Sequence, residues 1–145
     1  MSFINETKGL QFVDTNILVY AHDSSAGNKH LRAQELMLHL WETRQGCLSI
    51  QVLQEFYVTA TRKGLSPLPT QIVTRIIRDL SLWPVHSPTV DDLIEASTIQ
   101  QQYLISYWDA LIVQSAKQMN CTVIWSEDFN TGQSYQNIAA RSPFQ

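Results

Sequence analysis

Leu10-Gln-Phe-Val-Asp-Thr-Asn-Ile-Leu-Val-Tyr-Ala21 is the stretch that decides the fold. Its first four residues are a short apolar run of the length expected for a buried strand, and the run stops at an acid, Asp14. Apolar residues resume from Ile17 to Ala21 as the start of a short helix. A strand that passes to a helix through a polar turn is the unit from which parallel α/β sheets are built.

The same alternation runs along the chain. From Asn28 to Thr43, Ala33, Leu36, Met37, Leu40 and Trp41 recur at helical steps and share a face. Gly46 punctuates, and Cys47-Leu-Ser-Ile50 reads as a strand. Val52, Leu53, Phe56, Tyr57 and Ala60 mark a further helix, closed by Arg62-Lys63-Gly64: cations at the negative dipole end, then glycine. Ser66-Pro-Leu-Pro69 is a stiff loop, and Ile72, Val73, Ile76, Ile77 and Leu80 form another helical stripe. Trp83-Pro-Val-His86 reads as a short strand broken by Pro84. Thr89 and Asp92 have capping-box spacing before a helix that runs to Tyr103, and Ser106 and Asp109 repeat it before Ala110-Leu-Ile-Val113. Thr122-Val-Ile-Trp125 is an apolar strand. From Glu127 the composition is that of loops, with one final strand at Ile138–Ala140. The expected architecture is one α/β domain over residues 1–145, with a mostly parallel sheet covered on both faces and a polar extension at residues 1–9.

Composition narrows the function. Of 145 residues 44% are hydrophobic, which excludes a disordered chain. The net charge of −3 excludes a broad basic surface of the kind that grips phosphate backbones, so nucleic-acid contact is local or assisted by cations. Cys47 and Cys121 read as buried thiols in a reducing compartment. His22, His30, His39 and His86 show no metal-binding spacing. No apolar run has the length of a membrane span, and the first residues lack the core of a signal peptide, so a cytoplasmic location is expected.

Four acids stand where an α/β fold builds sites. Asp14 follows the first strand and Asp128 lies just past Trp125, at strand carboxyl ends. Glu55 and Asp109 interrupt apolar helical segments. Each has an ordinary explanation: a helix cap for Asp14, a solvated helix position for Glu55, a capping box for Asp109 and a loop acid for Asp128. Carboxylates buried together repel and lose hydration, so a cluster of them calls for protons or a cation. An all-carboxylate set suits magnesium or manganese, whereas zinc more often brings histidine or cysteine. Spacing alone does not establish that the four converge.

Four segments carry a resemblance. Phe12-Val-Asp-Thr-Asn-Ile-Leu-Val-Tyr20, Ser49-Ile-Gln-Val-Leu-Gln-Glu-Phe56, Ser106-Tyr-Trp-Asp-Ala-Leu-Ile-Val113 and Trp125-Ser-Glu-Asp-Phe-Asn130 resemble, in order, the four motifs of PIN domains, and among these the VapC-type toxins. Ser142-Pro-Phe144 is similar to the family's frequent Asn-Pro-Phe ending. The resemblance implies a three-layer α/β/α sandwich and metal-dependent RNA cleavage. It implies Asp14, Glu55, Asp109 and Asp128 as catalytic metal ligands, with Asn16 and Ser126 orienting them or touching phosphate. It also implies an antitoxin partner and often a homodimer. Lys29, Arg32, Arg62, Lys63, Arg75 and Arg78 are candidate phosphate contacts. Haloacid dehalogenase-type phosphatases place a second aspartate where Asn16 stands, which argues against them. A non-catalytic RNA-binding or scaffold protein on the same fold is the alternative, though such members usually lose acids.

Overall fold

The computed structural model describes residues 9–62 and 67–145. β1 (Leu10–Val13) is the centre of the sheet. Phe12 and Val13 are fully buried, and so is Gln11, whose side-chain oxygen accepts from Trp125 Nε1 at 2.7 Å. That bond satisfies polar groups that burial would otherwise leave costly. After Asp14 the chain enters α1 (Thr15–Ala21), a short 3-10 turn (Ser24–Ala26) and α2 (Asn28–Thr43). β2 (Gly46–Ser49), α3 (Ile50–Arg62), α4 (Thr70–Leu80) and β3 (Val85–His86) follow. Then come α5 (Val90–Tyr103), α6 (Tyr107–Gln118), β4 (Cys121–Trp125), β5 (Ser134–Tyr135) and β6 (Ile138–Arg141).

The six strands lie in the order β3-β2-β1-β4-β6-β5, parallel throughout except for the antiparallel β5–β6 pair. The chain steps outward from β1 to β2 to β3, then returns through α5 and α6 to β4 on the other side of β1. With right-handed crossovers, that reversal puts α5 and α6 on the face opposite α1 to α4. The packing agrees: α1 meets α2 and α3, α3 meets α4, while α5 packs on α6 and α6 on β2, β4 and β6. The result is a three-layer α/β/α sandwich whose strand order reverses between β1 and β4, where open α/β sheets hold their ligands.

Several expectations need correction. α1 begins at Thr15, not Ile17, because Asp14 itself caps it. Gly46 does not break the chain but opens β2, and the Trp83 ring lies so close that a Cβ there would meet it at 2.4 Å. Of the α2 face, Ala33, Leu36, Met37 and Leu40 are buried, but Trp41 is partly exposed against Trp83. In α4 only Val73 and Leu80 of the stripe are buried, and Ile72 faces outward. The last segment is a hairpin, not a lone strand: Gln136 and Asn137 both take positive φ (52° and 66°), as a tight two-residue turn requires. The Lys63-Gly64 helix end lies outside the described residues. Cys47 and Cys121 are free and buried, as expected. His86 bonds Ser115 (2.8 Å) and approaches Asp92 (3.3 Å) in a network apart from the acid cluster. Among the described residues, no helix is long and apolar enough to cross a membrane.

Candidate metal centre

Asp14 sits at the carboxyl end of β1 with only 4% of its surface exposed. Its backbone N–H still donates to Trp125 O (2.9 Å), which fixes it against the end of β4. Its Oδ1 accepts the Thr15 amide (2.7 Å) and its Oδ2 accepts the Ser126 hydroxyl (2.7 Å). Capping and site placement are thus two oxygens of one side chain.

Ser126 is the pivot of the facing loop. Its Oγ also accepts the Asp128 amide at 3.0 Å. Asn16 reaches across from α1: its Nδ2 donates to Asp128 Oδ2 (3.1 Å) and approaches Ser126 Oγ (3.4 Å), and its Oδ1 accepts the Glu127 amide (3.2 Å). Asp109 enters from the first turn of α6, where Ser106 Oγ accepts its amide at 3.1 Å. In α5, by contrast, the capping acid Asp92 turns back onto Thr89 (2.8 Å). The Asp109 carboxylate lies with those of Asp14 and Asp128, one oxygen from each within 4.8 Å of the others.

Glu55 is outside that triplet but lines the same pocket of about 300 Å³. Its Oε2 accepts the Thr15 hydroxyl and its Oε1 the Gln51 amide, both at 2.9 Å, and Gln51 also donates to Trp108 O (3.2 Å). Thr15 and Gln51 escaped the sequence reading. Their signals are modest: Thr15 lies between two site residues, and Gln51 precedes Glu55 by four positions on one helix face. Tyr20 and Trp108 also line the pocket, and Trp108 is 63% exposed.

The electrostatics follow from burial without a countercharge. Burial pushes the Asp14 carboxyl up to about 7, against the pull of the Ser126 and Thr15 bonds, and the charges of Asp128 and Asp109 add to the rise. Asp109 is raised by burial first, then by the charges of Asp128 and Glu55. Among the described residues, no Lys, Arg, His or Cys lines the pocket. Three close carboxylates, all oxygen donors, one of them deeply buried and reluctant to ionise, fit a hard divalent cation such as magnesium or manganese. Of the candidate cations, Lys29 pairs with Glu127, beside the pocket, while Arg32 donates to Pro143 O (3.1 Å). Arg62, Arg75 and Arg78 do not line the pocket, and Lys63 is outside the described residues.

Residues 12–133 match the PIN domain family. The chain belongs to the PIN-domain family. The PIN architecture is also that of solved structures with low sequence identity. One is a toxin–antitoxin complex from Klebsiella pneumoniae (18% identity, TM-score 0.66, covering 92% of this chain and 97% of that one). Another is VapBC2 from Rickettsia felis bound to a promoter DNA fragment (18%, 0.64, 92% and 98%). A third is Mycobacterium tuberculosis VapC20, a sarcin–ricin loop cleaving toxin (18%, 0.63, 81% and 91%). At these identities the likeness is one of fold. No curated protein sequence matches the chain.

Proposed function

We propose that this PIN-domain protein is a VapC-type toxin of the cytoplasm, an endoribonuclease dependent on magnesium or manganese and restrained by an antitoxin. The observation that carries the reading is the convergence of Asp14, Asp109 and Asp128 within 4.8 Å at the point where the strand order reverses. A metal bound there supplies a water of lowered pKa and positive charge beside the scissile phosphate. Asp14 and Asp109 would hold it most directly, Asp14 in its deprotonated form. Asp128 completes the set. Glu55, fixed by Thr15 and Gln51, would complete the shell or orient a water. Asn16 and Ser126 hold the acids in register or touch the phosphate.

Two apolar surfaces support the partners. Leu31, Leu38, Trp41, Ile76 and Leu82 line a groove of about 870 Å³, and Leu82 is 79% exposed. A groove of this kind suits the apolar face of an antitoxin helix. A separate patch of Ile50, Leu53, Tyr57, Val58 and Ile77 suits a second copy of the chain.

Cleavage of total RNA in manganese, with and without chelator, tests the enzyme. Wild type cuts and chelator stops it, while Asp109→Asn keeps the fold and cuts nothing. Cleavage by Asp109→Asn at the wild-type rate returns the protein to the RNA-binding or scaffold class.

A further inference from the structure

Among the described residues the pocket gathers four acids and no cation, yet a nuclease must hold a polyanion beside it. A cation among them whose contacts reach its wall is Lys29, at the start of α2. Its ammonium pairs with one oxygen of Glu127, and the Tyr20 hydroxyl donates to the other at 2.7 Å. Glu127 directly precedes Asp128, and its amide is held by Asn16. Lys29 Nζ lies 5.0 Å from the Tyr20 ring centroid and 5.4 Å from that of Phe144, which meets Tyr20 edge-on at 5.3 Å. Two aromatic rings therefore position the cation, and the chain's end is tied down by the Arg32–Pro143 bond.

The donor pair presented to Glu127 is an ammonium and a hydroxyl, both directed at a two-oxygen anion. The non-bridging oxygens of a phosphodiester offer the same face. We propose that Lys29 and Tyr20 form the seat for an RNA phosphate next to the metal centre, and that Glu127 fills this seat until RNA displaces it. The seat rests on the nuclease reading and deepens it: Lys29 is a positioning residue, not a catalytic one. Displacement is easy because the pair is open to solvent, with side-chain exposures of 44% for Lys29 and 32% for Glu127. Exposed ion pairs add little to stability. A purely structural role is the competing account, in which Glu127 straps α2 to the loop after β4.

The two accounts predict opposite signs for one variant. The probe is a fluorescein-labelled oligouridylate, read by anisotropy in manganese across a potassium chloride series, with Asp109→Asn as the non-cutting parent. Adding Lys29→Met weakens binding and lowers the slope of log K against log salt by about 0.7, the share of one phosphate contact on a single strand. Adding Glu127→Gln tightens binding severalfold, because the competing anion is gone. An unchanged slope in Lys29→Met, or a Glu127→Gln variant that weakens binding as Lys29→Met does, overturns the seat. If wild type cuts no RNA in manganese, the nuclease reading falls, and the seat with it. Melting curves of each variant show whether the strap contributes to stability.

Discussion

Asp14 Oδ1 accepts the Thr15 amide and its Oδ2 the Ser126 hydroxyl, so both oxygens are engaged while the group stays buried. Those bonds do not offset the lost hydration, and its pKa rises from 3.8 to about 7. The folded protein therefore holds this proton more tightly than the unfolded chain. That contribution to stability is complete below about pH 4 and is lost as pH rises through about 7, at ~1.4 kcal/mol per pKa unit. In chelator, Asp14→Asn should match or trail wild type in Tm near pH 4 and exceed it at pH 8. A gap that is constant across that range contradicts the buried, unpaired acid. Manganese affinity should in turn climb with pH and level off above about 7, because metal and proton compete for Asp14. At this scale the sequence was legible where an acid follows an apolar run, as at Asp14. It was less so for Glu55: the sequence put it in the acid set, but its place on the pocket wall depends on hydroxyl and amide partners from Thr15 and Gln51, which no spacing rule selects.

β2 begins under an indole. Gly46 leaves the space that the Trp83 ring fills, and Trp83 is 6% exposed. The nearest ring atom lies 2.4 Å from where a Cβ would stand, and it belongs to a rigid aromatic, not to the end of a flexible chain. Gly46→Ala should therefore destabilise the fold by about 1–3 kcal/mol through overpacking, read by urea denaturation. Wild-type stability in that variant would mean that Trp83 swings aside. The reading of Gly46 as punctuation missed this because its partner lies thirty-seven positions away. The long amphipathic helix from Asn28 to Thr43 and the capping box at Thr89 were legible, since their signals are local and repeated. The β5–β6 hairpin was not, because two paired residues of β5 leave no periodicity and its turn uses Gln136-Asn137 without glycine.

Over the whole molecule, strand order explains why acids distant in sequence meet. β1 and β4 are neighbours only because the chain reverses after β3, and that reversal sets Asp14 beside the loop bearing Ser126 and Asp128. The order of short apolar strands and helices announced a parallel sheet. The position of β4 between β1 and β6 is a long-range outcome that neither periodicity nor the motif resemblance placed; the resemblance implied only a parallel sheet and one shared site for the four acids. The same assembly leaves apolar side chains on the outside. Ile50 (40% exposed), Tyr57 (37%) and Val58 (43%) share α3's outer face. If that face joins two copies, Tyr57→Glu should shift the light-scattering mass from dimer to monomer without altering the melting response to metal; a mass unchanged from wild type removes α3 from the interface.

The central claim is that Asp14, Asp109 and Asp128 together hold a divalent cation. The most direct measurement is thermal unfolding of wild type and Asp14→Asn at pH 8, with millimolar manganese and with chelator. A ligand that binds only the native state raises its melting temperature. Wild type should rise in manganese and Asp14→Asn should not, and the order of their stabilities should reverse between the two conditions. No response in wild type, or an equal response in both proteins, contradicts the metal centre and the nuclease built on it.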